Sequence, residues 1–205
     1  MMHLADGVLG APVLLASAAL SAAGVAIGLR SLREDRLPLA ALLGAAFFVA
    51  STIHVPVGPS SVHLVLNGLA GLLLGWAVFP VLCVALLLQA ALFSFGGFAV
   101  LGANLLAVAL PGVAAHYLLR GQLGPAATQR QAMLAGAASG VIGIGGAVLM
   151  IGSLLAMSGG RSFGELIVLF SLAHLPVMAV DAAIGAFTVA ALLRMLPQSL
   201  APVQS

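Results

Sequence analysis

Apolar residues run along this chain in long blocks parted by short polar breaks. Seven blocks stand out, at about 12–29, 37–53, 62–79, 80–94, 99–119, 132–156 and 165–194. A helix needs about 20 mostly apolar residues to cross the hydrocarbon core of a bilayer, so each block is a candidate span. The third and fourth are parted only by Phe79-Pro80, which predicts a tight hairpin whose second arm is short and dips or tilts. The last block is long and contains Pro176 and Asp181, which predicts a kink. Ala18, Ala22 and Ala26, and again Ala41 and Ala45, repeat small residues at a spacing that lets membrane helices approach closely. The pattern predicts an all-α membrane protein of about seven transmembrane helices, a single integral-membrane domain over residues 1–205.

Composition reinforces this reading. Of 205 residues, 62% are hydrophobic and 6% charged, with a mean hydropathy of +1.24. A soluble domain carries about a quarter charged residues. A cytosolic enzyme, a nucleic-acid-binding module and a secreted disulfide scaffold are therefore excluded. The cations are all arginine, and a net charge of +2 makes no basic patch for nucleic acid. The lone Cys83 can form no internal disulfide. The start, Met-Met-His-Leu-Ala-Asp-Gly, lacks the basic segment of a signal peptide, so the amino terminus is expected to persist. The arginines choose the orientation in the cell (inner) membrane. With the amino terminus outside and the carboxyl terminus cytoplasmic, Arg30, Arg33, Arg36, Arg120, Arg130 and Arg194 lie inside and only Arg161 outside.

This orientation gathers His3, His54 and His63 on the outer side. At the amino terminus, a free amine, backbone amides and the His3 imidazole offer a set of nitrogen ligands, which suits Ni(II), Cu(II) and, less strictly, Co(II). If the chain starts at Met1, these supply four nitrogens; if it starts at Met2, they supply three and leave one position open. A solvated tail histidine is the bland alternative. The 54–63 loop holds two prolines and Gly58, with Ser60 or Ser61 as N-cap of the next helix and His63 in its first turn. There the helix dipole would keep the imidazole neutral. Asn67, one turn on, would orient His63 or bridge helices. Gln89 and Asn104, amides at membrane depth, must find partners and read either as interhelical glue or as part of a site. Gly96-Gly97 permits a sharp turn. His174 and Asp181 share a face two turns apart in the last block, too far for direct contact, and Asp181 could instead bond backbone near the proline. There is no P-loop and no Gly-x-Ser-x-Gly elbow.

Taken together, these segments make the chain similar to the substrate-capturing membrane subunit of energy-coupling-factor-type nickel/cobalt importers, the CbiM/NikM family. The resemblance rests on Met2-His3-Leu4-Ala5-Asp6-Gly7-Val8-Leu9, on Pro56 to Leu64, and on Gln89-Ala90, Gly96-Gly97 and Leu101-Gly102-Ala103-Asn104. A family Gln-x-Pro-x-x-x-x-Glu pattern corresponds to His174-Leu175-Pro176 and Asp181, with both polar residues changed. The resemblance implies seven spans, an amino terminus folded into an outer pocket, and Ni²⁺ or Co²⁺ held by the terminal amine, an amide, His3 and a later histidine. Carried onto this chain, the ligands are Met2, His3 and His63. The extra Met1 departs from the pattern and enters the set if it is retained. His54 is an alternative ligand; Asn67, Ser60, Ser61 and Asn104 are alternative ligands or surrounding groups. The resemblance also implies a transmembrane coupling subunit and ABC-type ATPase subunits as partners, with the 54–61 and 94–98 loops as lid candidates. The competing expectations are a metal-independent membrane scaffold and an intramembrane hydrolase using Ser60 or Ser61.

Overall fold

The computed structural model describes residues 4–53, 55–57, 60–124, 126–159, 164–196 and 200; the side chains of 55–57, 60–62, 164–167 and 169–171 are outside that description. Met1, Met2, His3, His54 and Arg161 also fall outside it. Seven α-helices are found among the described residues: α1 (Ala11–Ser31), α2 (Leu37–Thr52), α3 (Asn67–Leu74), α4 (Val78–Phe93), α5 (Leu101–Leu119), α6 (Gln129–Met157) and α7 (Gly164–Met195). A two-stranded antiparallel ribbon, β1 (Val55–Val57) and β2 (Ser60–Val62), pairs Val55 with Val62 and Val57 with Ser60. The loop expected at 54–63 is thus a small hairpin.

Among the described residues, six helical segments are long and apolar enough to cross a membrane: Ala11–Ser31, Glu34–Thr52, Asn67–Phe93, Leu101–Gln122, Gln129–Met157 and Leu172–Met195. The difference from the expected seven lies in α3 and α4. The chain reverses between them, but at the single turn Gly75–Ala77 rather than at Phe79-Pro80. Gly75 has φ of 58°, a left-handed conformation that favours glycine. Pro80 lies in the first turn of α4, where its missing N–H costs little. Along α3, Asn67, Gly71 and Gly75 face Val108, Gly112 and His116 in turn, so α3 and α5 run parallel. Along α4, Val81 and Gln89 face Gly44 and Ser51, so α4 runs with α2. With eight residues, α3 is only about 12 Å long, half a crossing.

The periphery is apolar, unlike that of a soluble bundle; the core holds large residues such as Phe47, Phe79, Leu72 and Leu82, whereas the buried face of α1 is small or polar. In α1 the buried positions are Val13, Ser17, Ser21, Gly24 and Gly28, while Leu15, Leu20, Ile27 and Leu29 are exposed. Of the alanine stripe, Ala18 packs closely on Gly102 of α5, while Ala22 and Ala26 are exposed and Ser17, Ser21, Gly24 and Gly28 form the buried face. Only lipid makes such exposure favourable. Helices α6 and α7 pack antiparallel through Gly136 against Gly185 and Gly140 against Ala182; a Cβ on Gly136 would lie 2.1 Å from the Gly185 oxygen. Thr128 and Gln131 form a reciprocal capping box that starts α6 at Gln129, three residues before the expected start at 132. α7 stays helical through Pro176, so the proline does not end it.

Arg30, Arg33, Arg36, Arg120, Arg130 and Arg194 all fall at one end of the bundle, at the end of α1, between α1 and α2, after α5, at the start of α6 and at the end of α7. The opposite end carries residues 4–10, the turn after α4 and the end of α6, where Ser158 Oγ accepts from Gly10 N–H.

Candidate metal centre

At the arginine-poor end the start of the chain is bound into the bundle by its backbone. Leu4 is buried. Its N–H donates to Asn104 Oδ1 at 2.8 Å, and its carbonyl accepts from Asn104 Nδ2 at 3.1 Å. Asn104 lies in the first turn of α5 and is itself buried. An amide side chain can copy a neighbouring β-strand by offering one donor and one acceptor. Here it satisfies both backbone groups of one residue in a setting where each unmet group is costly. Asn104 is thus a clamp on the chain start, a third role besides ligand and interhelical glue. Asp6 adds a second tie, its Oδ1 accepting from Val100 N–H at 3.2 Å. Gly97, with φ of 146°, makes room for that carboxylate, since a Cβ there would sit 2.3 Å from it. The 94–98 turn, expected as a lid, therefore carries the seat of Asp6. No sequence spacing signals the pairing of Asp6 with Gly97; it exists only once α4 and α5 are placed.

His63 is buried at 3% exposure. It does not lie in a helix: α3 starts at Asn67, and residues 63–66 form a non-helical lead-in. The dipole argument for a neutral ring therefore gives way to a local one. The ring Nδ1 lies 3.0 Å from the Leu64 carbonyl oxygen. A carbonyl can only accept, so Nδ1 carries the hydrogen, and the Nε2 lone pair is the one directed elsewhere. That tautomer is the one a histidine needs to offer Nε2 to a metal.

The residue before α3 is Leu66, in the left-handed region at φ 55°. Neither Ser60 nor Ser61 caps the helix; both belong to β2, five residues or more upstream of Leu66. The Leu66 N–H instead donates to Asp181 Oδ2 of α7 at 2.8 Å, and the neighbouring Val65 amide faces the same carboxylate. Asp181 does bond backbone, as expected, but across the bundle rather than near Pro176. Asn67 does not orient His63: its Nδ2 donates to the carbonyls of Val108 at 2.8 Å and Gly143 at 3.0 Å, tying α3 to α5 and α6. Gln89 donates to Ser51 Oγ and joins α4 to α2. His174 is buried in α7, two turns from Asp181 toward the end that carries Leu4.

Two helix positions relate these parts. Asn104 is one turn nearer the start of α5 than Val108, and His63 lies four residues before Asn67, which bonds Val108. Both therefore fall on the same side of that contact. Among the described residues no three His, Cys, Asp or Glu side chains converge.

A lipid-facing helix bundle with one polar, backbone-rich end defines a multi-pass cell-membrane protein. Its fold is shared with solved transition-metal transporters. One of these, a truncated form, superposes with a TM-score of 0.71 over 96% of this chain and 98% of that one, at 21% identity. A Haemophilus influenzae protein named for metal transport is 53% identical over 197 residues, 96% of each chain. The fused nickel transport protein NikMN of Rhodobacter capsulatus is 37% identical over 147 residues, 67% of this chain and 42% of that protein. The cobalt transport protein CbiM of Kyrpidia tusciae is 37% identical over 126 residues, 58% of this chain and 51% of that protein. Residues 3–199 match the description of a cobalt uptake substrate-specific transmembrane region, and the chain belongs to that family, CbiM. The family is a component of cobalt and nickel transport.

Proposed function

We propose that this chain is the substrate-specific capture subunit of an ATP-driven importer of Ni²⁺ or Co²⁺, and not an enzyme. The ion is the cargo. It is taken at the end opposite the arginines, which the positive-inside rule makes the outer face. The ligands are the terminal amine, the backbone amide and imidazole of His3, and the Nε2 of His63, with Met1 or Met2 as the first residue. The observation that carries this reading is the Asn104 clamp on both backbone groups of Leu4, the residue bonded to His3. A buried Asn used to fix a chain start has little purpose in a scaffold. It fits a site whose ligands are the chain start itself, because a nitrogen set built from backbone must be held still to be selective.

Movement of the ion inward requires other chains, since no nucleotide-binding motif is present. The fused relatives NikMN and CbiMQ join a region like this one to further transport components, which supports a transmembrane coupling subunit and ATPase subunits as partners. Ala41 and Ala45 line an apolar groove of about 500 Å³ between α1, α2 and α4, facing away from the bundle. It offers a close-approach surface for a partner helix.

The test uses the full chain in lipid nanodiscs with Ni²⁺ alone, and mass spectrometry of the intact amino terminus to establish the first residue. His63→Ala, and separately two residues added before Met1, should each abolish tight binding. Unchanged binding in both variants would refute the pocket.

A further inference from the structure

Asp181 is an acid within a membrane-spanning helix, buried at 2% exposure, and the ligand set above makes no use of it. An intramembrane carboxylate is costly to keep. Its Oδ1 has no hydrogen-bond partner among the described residues. Its Oδ2 accepts from Leu66 N–H at 2.8 Å, and the neighbouring Val65 amide faces the same carboxylate. The charge is therefore directed at two consecutive peptide groups of the short lead-in to α3.

One of those peptides has a second use. The Val65 N–H and the Leu64 C=O belong to a single planar, trans peptide group, so they point in opposite directions and turn together. The Leu64 oxygen is the group that accepts from His63 Nδ1 at 3.0 Å. A carboxylate bonded at Leu66 and facing the N–H side of the preceding peptide limits where that peptide's oxygen points. It thereby constrains the plane and tautomer of the imidazole. Leu66 supports the same conclusion: a leucine at φ 55° is strained, and the bond to Asp181 is made at that residue.

We infer that Asp181 is a positioning residue for metal capture, acting on the His63 imidazole through the Leu64–Val65 peptide. This inference rests on His63 being a ligand. Metal-bound histidines commonly give their other ring nitrogen to a carboxylate directly. Here a backbone peptide stands between the two, so that the acid on α7 can hold a ring carried by the segment before α3. The negative charge also polarises the peptide, strengthening the acceptor at Leu64 and making Nε2 a better donor of its lone pair.

The experiment measures Ni²⁺ affinity and the visible absorption spectrum of the bound ion for the full chain in nanodiscs. The variants are Asp181→Ala, Asp181→Asn, His63→Ala and the double variant Asp181→Ala/His63→Ala. Asp181→Ala should weaken binding by about 10–100-fold, the usual cost of removing an outer-shell partner, and should shift the ligand-field bands. Asp181→Asn, which keeps an acceptor of the same shape but loses the charge, should fall between Asp181→Ala and the native chain. In the double variant the Asp181 change should add nothing to the loss from His63→Ala, because the carboxylate acts only through that ring. A purely structural acid would give additive losses and an unshifted spectrum, and either would overturn the inference. If Asp181→Ala does not fold, Asp181→Asn with native affinity and spectrum overturns it equally. Native affinity in His63→Ala would instead remove the ligand set itself, a separately recognisable outcome.

Discussion

The α6–α7 pair and the amino-terminal end are held by opposite means. Between α6 and α7 the backbones meet at glycine, Gly136 on Gly185 and Gly140 on Ala182, with no room for a side chain. At the other site the holding groups are polar side chains reaching for backbone: Asn104 to Leu4, Asp6 to Val100, Asp181 to Leu66. The first arrangement depends on shape and dispersion and has one solution. The second depends on a few hydrogen bonds in a medium that offers no replacements. It includes left-handed non-glycine residues, Leu66 and Ser94. Lipid drives shape packing everywhere, so buried polar contacts mark where the chain does something more than cross the membrane.

The sharpest way to break this contrast is at the glycine seam. Gly136→Leu places its first carbon 2.1 Å from the Gly185 carbonyl oxygen, and backbone cannot retreat as a flexible side chain can. The expected loss is above about 4 kcal/mol, enough to prevent accumulation of folded protein. Monodispersity after extraction and yield in the membrane fraction check it. A well-folded Gly136→Leu protein would show that α6 and α7 are not the rigid half.

Asn104→Ala tests the other half. Two buried backbone groups of Leu4 lose their partner, at about 1–3 kcal/mol each, but the helices do not depend on them. The expected outcome is a folded bundle that binds Ni²⁺ about 10–100-fold more weakly, seen by titration beside a melting curve. A large drop in melting temperature with native affinity would reverse the assignment of roles. The acid side of the titration is sharper still in sign. A terminal amine must give up its proton to bind, and in free peptides it holds that proton to about pH 8. Affinity should therefore rise by about tenfold per pH unit for each proton displaced, steeply from pH 6 to 8 and less steeply above, where the amine is already free and only the coordinated amide still gives up a proton. A chain with its amine acetylated should bind weakly and lose this amine-linked slope.

Much of the membrane fold was legible in the sequence and much of the site was not. Long apolar blocks sufficed for the membrane fold, since burial in lipid is a matter of composition over a stretch. The reversal before α4 was expected but misplaced by several residues: Phe79-Pro80 looks like a break, yet proline is tolerated in a first helical turn, and the left-handed Gly75 does the turning. The alanine stripe of α1 marks a close approach at one position, Ala18 against Gly102, while serine and glycine at 17, 21, 24 and 28 form the rest of the buried face. At the site, His63 and Asn104 could be picked out as polar residues in apolar surroundings. Their partners could not, because Leu4, Leu64 and Leu66 take part through backbone groups that every residue possesses. Asp6 and Asp181 act on such groups too, over separations of 94 and 115 residues.

The smallest expected effect belongs to the bundle's outer surface and closes the contrast from the other side. Leu15 on α1 is 72% exposed and faces lipid. Truncating it to alanine removes a contact with acyl chains that an unfolded membrane-inserted helix would also make, so the two states lose it equally. The expected change is within about 0.5 kcal/mol in stability, with no change in Ni²⁺ affinity. Ser17, two residues away and buried at 2% exposure, faces the interior, and Ser17→Leu should be far more disruptive than the Leu15 truncation. Equal sensitivity at the two positions, measured by melting in nanodiscs, would mean that α1 does not present its large residues to lipid. The reading of this chain as a bundle that turns its large apolar residues to lipid would then fail at its first helix.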